Sequence, residues 1–95
     1  MRLLWLRQAK FDLFAIHDYI ALRNPSAASR ITAEITEAAI RLKQFPLLGR
    51  PADEAGVRLL QASGLPYLLP YRVTGDIIQI IAVIDERMER PPEWL

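Results

Sequence analysis

The amino-acid sequence predicts an α+β fold, in which a helical hairpin packs on one face of a mainly antiparallel sheet. The first half of the chain has helical periodicity, and the second half has the shorter periodicity and tight turns of strands. Between them, segment 45–51 reads Phe-Pro-Leu-Leu-Gly-Arg-Pro, whose prolines and glycine end a helix and favour an irregular connection. The chain has 95 residues, so we expect one domain over 1–95, with a tail from about residue 86.

The first helix is predicted over residues 8–23, after a short apolar strand at 2–6. Its core-facing stripe is Leu13, Ile16 and Ile20. A second apolar stripe lies roughly opposite and consists of Phe11, Phe14, Ala15 and Leu22. A helix that is apolar on two sides is either buried more deeply in its own fold or contacts a partner outside it.

The second helix starts at Asn24-Pro25 and is predicted to run to about residue 44. Asn can accept a hydrogen bond from a free N–H group of the first turn, and Pro suits the first helical position because it has no N–H to leave unpaired. The joint between the helices is short, so they should form an antiparallel hairpin.

Three strands are predicted in the second half, at residues 57–62, 67–73 and 77–85. The last two are joined by the tight turn Thr74-Gly75-Asp76. Pro70 cannot donate to a strand ladder, and therefore implies a bulge or an edge-facing position. The chain then becomes charged and rich in proline.

Composition and charge exclude several classes of protein. There is no cysteine, and no apolar run approaches the ~20 residues needed to span a bilayer, so we expect a cytoplasmic protein without a membrane partner. The net charge is only +1, whereas strong nucleic-acid binders usually have a basic excess. No spacing of His, Cys or Asp suggests a metal site, and no glycine-rich loop suggests a nucleotide cofactor, so we expect neither.

The order of these pieces resembles the ParE/RelE toxin superfamily. The resemblance rests on Asp18-Tyr19-Ile20-Ala21 before Asn24-Pro25, Ala27-Ala28 with Arg30, Phe45-Pro46, Gly49-Arg50-Pro51, Arg58-Leu59, the segment from Tyr67 to Val73, and Ile80 to Ile84 leading to Arg87. It covers the chain from Trp5 to about Arg87 and is closer to the ParE branch. It implies a small toxin held inactive by a cognate antitoxin, in a heterodimer or heterotetramer. The ParE branch is associated with inhibition of DNA gyrase, and the RelE branch with mRNA cleavage on the ribosome.

The same resemblance suggests where an active surface would lie. Arg58, Arg72 and Arg87 match arginine positions of the family and could converge on a phosphate. RNA cleavage also requires a base and an acid. Glu86 could serve as the base, but His17, the only histidine, lies in the first helix far from the sheet. An enzyme is therefore the less favoured reading.

Binding is the better-supported activity. We expect the target-binding residues to be Arg58, Arg72, Arg87, Arg90 and Trp94. We expect the antitoxin to cover the stripe that includes Phe11, Phe14 and Leu22. Three hypotheses stay open: a gyrase poison, a ribosome-dependent mRNA interferase, and a family member that only binds an antitoxin. Trp94 either engages the target or folds back over the sheet.

Overall fold

The structure, a computed structural model, describes residues 1–87. In that part of the chain two helices pack on one mixed sheet. The helices are α1 (Arg7–Ala21) and α2 (Pro25–Arg41). The strands are β1 (Arg2–Trp5), β2 (Arg50–Pro51), β3 (Arg58–Gln61), β4 (Tyr67–Thr74), β5 (Ile77–Ile80) and β6 (Ile84–Asp85). This is the α+β architecture that the sequence predicts.

The two helices form the expected hairpin. Asn24 Oδ1 accepts a hydrogen bond from the backbone N–H of Ala27 at 3.1 Å, and Pro25 is the first helical residue, so the predicted cap is confirmed. Small side chains on the inner faces, Ala9, Ala28, Ala38 and Ala39, are fully or almost fully buried and let the helices pack closely. Helix α2 ends at Arg41 rather than at residue 44, and a turn continues the chain from there.

The strands are ordered β1-β5-β4-β3-β2, and β6 also pairs with β4. All the pairs are antiparallel except β1 with β5, which is parallel. Strand β2 lies within the segment expected to be irregular, where Arg50 and Pro51 pair with Leu59 and Arg58. The middle of the sheet faces the helices with the largest buried side chains, which include Tyr71, Leu69, Ile78 and Ile80.

The predicted strand at 77–85 is interrupted opposite Pro70. Tyr71 pairs with Ile80 and Leu68 pairs with Ile84, so three residues (81–83) oppose only two (69–70). This is a β-bulge, the first of the two alternatives that Pro70 implied. The backbone N–H of Val83 in the bulge donates to Asp12 Oδ2 at 3.0 Å, which ties α1 to the sheet.

Candidate functional site

The structure does not bring the three sheet arginines together. Arg58 pairs with Tyr71, and paired residues lie on the same face of a sheet. Arg72 follows Tyr71 in β4, so its side chain lies on the opposite face. Arg87 follows β6, which pairs with β4 at Tyr67, the far end of that strand. In this arrangement the three guanidinium groups cannot share one phosphate.

The side chain of Arg58 forms hydrogen bonds to backbone carbonyls of the preceding loop. Its Nε donates to the carbonyl of Gly49 at 2.9 Å, and a terminal nitrogen donates to the carbonyl of Leu47 at 3.3 Å. The side chain is half-buried. These contacts give Arg58 a structural role in holding the loop.

Arg72 is half-buried on the sheet face away from the helices, where it pairs with Gln79 of β5. Among residues 1–87, no carboxylate lies within 4.0 Å of its guanidinium nitrogens. Of the three arginines it is the one whose guanidinium has no partner among those residues, and it remains a candidate contact for a target.

Arg87 forms a two-pronged ion pair with Asp85. Its Nε and a terminal nitrogen donate to the two carboxylate oxygens at 2.9 and 2.8 Å. These bonds raise the pKa of Arg87 and lower the pKa of Asp85. The guanidinium carbon also lies 6.0 Å from the centre of the Tyr67 ring. Because Arg87 is already paired, a target anion would have to compete with Asp85 for it.

Glu86 is not part of this ion pair. Its carboxylate accepts a hydrogen bond from the side chain of Gln61. Gln61 pairs with Leu68 and therefore lies on the sheet face opposite to that of Tyr67. Glu86 is therefore not placed to act as a base beside Arg87. Arg90 and Trp94, predicted to bind the target, lie outside the described residues.

An apolar groove of about 580 Å³ runs beneath the second half of α1. Its walls are mainly Ala15, Ile16, Tyr19, Ile20 and Tyr67, and its charged residues are Arg23, Asp85 and Arg87. Burial raises the pKa of Tyr67, with the nearby Asp85 carboxylate acting in the same direction. The raised pKa reflects an environment that disfavours the phenolate, so Tyr67 is poorly suited to act as a base.

The stripe Phe11, Phe14 and Leu22, here called the α1 stripe, lies on the outer side of its helix. The side chains of Phe11 and Phe14 are each 68% exposed, and that of Leu22 is 88% exposed. Phe14 also lines a groove of about 440 Å³ between α1 and α2. Of the two alternatives for this helix, the exposure fits an external partner rather than deeper burial.

Sequence reasoning did not single out Tyr71, whose hydroxyl organises the loop before β2. The hydroxyl donates to the carbonyl of Pro46 at 2.8 Å and accepts from the N–H of Gly49 at 2.9 Å. A Cβ at Gly49 would lie 2.6 Å from the Tyr71 ring and 2.7 Å from the carbonyl oxygen of Leu59, so only glycine fits there. Gly49 was the sequence feature that could have indicated this contact, but its partner Tyr71 lies 22 residues away in sequence.

Within residues 1–87, metal-binding clusters and membrane-spanning helices are both absent. No group of three or more His, Cys, Asp or Glu side chains is placed to hold a metal ion there. Neither helix in this part of the chain is long and apolar enough to cross a membrane.

Comparison with known proteins identifies the family. The sequence profile described as the ParE toxin of type II toxin-antitoxin system, parDE, matches residues 3–90. The chain is 33% identical over 90 residues to Y4kP, a candidate toxin of Sinorhizobium fredii, covering 95% of this chain and 93% of that protein. It is 32% identical over 82 residues to toxin RelE2 of Caulobacter vibrioides, covering 86% and 91% of the two chains.

A solved structure from the chromosomal ParDE toxin-antitoxin system of P. aeruginosa superposes with a TM-score of 0.84. That match has 35% sequence identity and covers 90% of this chain and 95% of the other. The family profile spans most of the chain, and both the relatives and the structure agree with it. This chain therefore belongs to the ParE toxin family of type II toxin-antitoxin systems, within the ParE/RelE superfamily.

Proposed function

We propose that this protein binds and poisons DNA gyrase when it is alone, and that a cognate antitoxin neutralises it in a heterodimer or heterotetramer. The gyrase target is what the resemblance to the ParE branch implies. The observation that carries the proposal is that Arg58, Arg72 and Arg87 lie apart, and that the carboxylate beside Arg87, Asp85, is already ion-paired with it. That arrangement suits a binding protein better than a nuclease.

Cleavage of RNA by its own 2′-hydroxyl needs a base, an acid and cations around one phosphate. His17 lies on α1 beside Asp18. The hydroxyl of Tyr71 already forms hydrogen bonds with the loop before β2. The Glu86 carboxylate accepts a hydrogen bond from Gln61, and the raised pKa of Tyr67 disfavours its phenolate form. None of these groups lies beside Arg72, the arginine without a carboxylate partner in the described chain.

The antitoxin is expected to cover the α1 stripe. Phe11, Phe14 and Leu22 are large apolar side chains exposed on one side of a single helix. An antitoxin segment that folds on binding can bury such a stripe with its own apolar side chains. The P. aeruginosa match comes from a system in which a ParE-type toxin has a protein antitoxin, and this supports a similar partner here.

A ribosome-dependent mRNA interferase is the second candidate, because one relative is named toxin RelE2. A chain that only binds an antitoxin is the third. Production of this chain alone in a bacterial host separates the three. Filamentation with DNA damage supports the gyrase proposal. Rapid loss of translation with ribosome-dependent cuts in transcripts supports the interferase. Normal growth in the presence of soluble protein contradicts both.

A further inference from the structure

Four large apolar side chains are exposed within a short segment at the end of α2. They are Ile40, Phe45, Leu47 and Leu48, with 54%, 56%, 68% and 50% of their surface exposed. They belong to different elements from the α1 stripe. Single exposed apolar residues are common on protein surfaces, but a cluster of this kind usually marks a contact surface.

Residues 45–49 form the loop that carries three of these side chains, and hydrogen bonds from the sheet hold it in place. We call it the clamped loop. The Tyr71 hydroxyl bonds to Pro46 and Gly49, and Arg58 bonds to Leu47 and Gly49. The N–H of Leu48 donates to the carbonyl of Phe45 at 3.1 Å. Most of the backbone polar groups of the loop are therefore hydrogen-bonded within the protein, while the apolar side chains stay exposed.

The chain segment that contains the clamped loop is basic. Between residues 40 and 51 the chain has Arg41, Lys43 and Arg50 and no acidic residue. All three cations are exposed. A groove of about 360 Å³ opens beside the loop, and Arg41, Leu48 and Arg50 are among the residues that line it. The nearest acidic residues in sequence are Glu37 and Asp53, and Glu37 lines a separate groove together with Ile40 and Arg41.

We propose that the clamped loop is the surface through which this toxin docks on its target, at an apolar site bordered by acidic residues on a folded protein. Charge complementarity with Arg41, Lys43 and Arg50 selects an acidic partner. A loop that is already fixed loses little conformational freedom on binding, which favours contact with a rigid surface. The inference rests on the proposed function, because it gives the toxin a protein target.

The antitoxin is assigned to the other exposed apolar surface, the α1 stripe. This division predicts that changes at the two surfaces have opposite effects. A substitution in the clamped loop should remove toxicity and leave antitoxin binding in place. A substitution in the α1 stripe should weaken antitoxin binding and leave toxicity in place.

Leu47 and Leu22 allow a matched test, since both are highly exposed leucines. Leu47→Glu removes an apolar contact and adds a negative charge facing the acidic partner. Leu22→Glu makes the same chemical change on α1. Arg50→Glu, with Arg30→Glu on α2 as its control, tests the basic border separately. Leu47→Met retains an apolar side chain and should retain toxicity.

Each variant is produced alone to measure growth arrest, and with the antitoxin to measure the affinity of the complex. Thermal melting shows whether it is folded; if Leu47→Glu does not fold, Arg50→Glu is decisive by itself. We expect Leu47→Glu and Arg50→Glu to raise the amount of protein needed for growth arrest by at least about tenfold, the first as a contact at the centre of an interface and the second because it brings like charges together. Their antitoxin affinity should change by less than about threefold, as for residues outside the antitoxin interface.

Several results would overturn the proposal. Folded loop variants that stay fully toxic would exclude the loop as the docking surface. Loss of antitoxin binding with retained toxicity would assign the loop to the antitoxin, and loss of both would remove the division between surfaces. A wild-type dimer that dissociates in the variants without loss of toxicity would assign the loop to self-association. Normal growth with the wild-type chain would reject the proposal together with the proposed function.

The growth readout does not depend on which protein is the target. A wild-type chain that arrests growth without affecting gyrase would contradict the proposed function. The clamped loop would still be judged by whether Leu47→Glu abolishes that arrest and Leu22→Glu does not.

Discussion

Tyr71 joins the core to the clamped loop through one side chain. Its ring is fully buried in the core, and its hydroxyl lies between the carbonyl of Pro46 and the N–H of Gly49. The absence of a side chain at Gly49 lets the ring approach the loop. The segment that first suggested a simple helix stop is therefore held in one conformation by the sheet beneath it.

Tyr71→Phe should reduce the free energy of unfolding by about 1–3 kcal/mol, because the substitution leaves the buried Gly49 N–H without its partner and removes the bond to Pro46. Chemical denaturation measures the change. Tyr19→Phe is the matched control, because Tyr19 is 60% exposed and should lose almost nothing. Equal stability of Tyr71→Phe and the wild-type protein would show that the hydroxyl does not hold the loop.

The Asp85–Arg87 ion pair predicts a pH-dependent effect. The hydrogen bond from Arg87 lowers the pKa of Asp85 below its ordinary value of 3.8. A lowered carboxyl pKa stabilises the folded state above 3.8, and this contribution disappears as the pH falls through the lowered value. Because Arg87 is 67% exposed, solvent screening keeps the contribution to about 0.5 kcal/mol.

Asp85→Asn should therefore lower the free energy of unfolding at neutral pH, and the difference from wild type should vanish once Asp85 is protonated in both states. Denaturation curves recorded at pH values on both sides of 3.8 measure it. A difference that stays constant across that range would mean that the ion pair is not its source.

At the scale of elements, a hydrogen bond from the bulge of the sheet fixes α1. Pro70 interrupts the regular pairing of β4 with the last strand, and the extra residue places the N–H of Val83 toward Asp12. Val83 is only 5% exposed, so water cannot easily replace this acceptor. The apolar groove beneath α1 lies further along the same helix.

Asp12→Ala should lower the free energy of unfolding by about 1.5–3 kcal/mol, because a buried N–H loses a charged acceptor. Asp18→Ala is the control on the same helix, since the Asp18 side chain is 84% exposed. Asp12→Asn keeps an acceptor and should fall between them. Equal stabilities of Asp12→Ala and Asp18→Ala would rule out the proposed role of the bulge contact.

Local chemistry explains which elements could be predicted from the sequence. The Asn24-Pro25 helix start depends on neighbouring residues, and the bulge follows from the missing N–H of Pro70. Whether the arginines converge could not be predicted without the strand register, because a shift of one residue moves a side chain to the other face of the sheet. Arg58 pairs with Tyr71, so its side chain and that of Arg72 lie on different faces of the sheet. The Tyr71 contacts span 22 and 25 residues, which no local pattern encodes.

At the scale of the whole molecule, the described chain presents two exposed apolar surfaces on one small fold. The α1 stripe lies on the first helix, and the clamped loop lies between the second helix and the sheet. The two apolar surfaces suit separate protein contacts, while the sheet arginines lie apart and the carboxylate beside Arg87, Asp85, is held in an ion pair. This arrangement supports the proposed function, in which the toxin acts by binding.

Inhibition of purified DNA gyrase by the purified chain tests that conclusion most directly. We predict that the chain alone stops DNA supercoiling and traps gyrase on cleaved DNA, that added antitoxin restores activity, and that the chain does not cut mRNA on ribosomes. Leu47→Glu should lose the inhibition, while Leu22→Glu should keep it. Full gyrase activity in the presence of a folded wild-type chain, together with transcript cuts on ribosomes, would contradict the account.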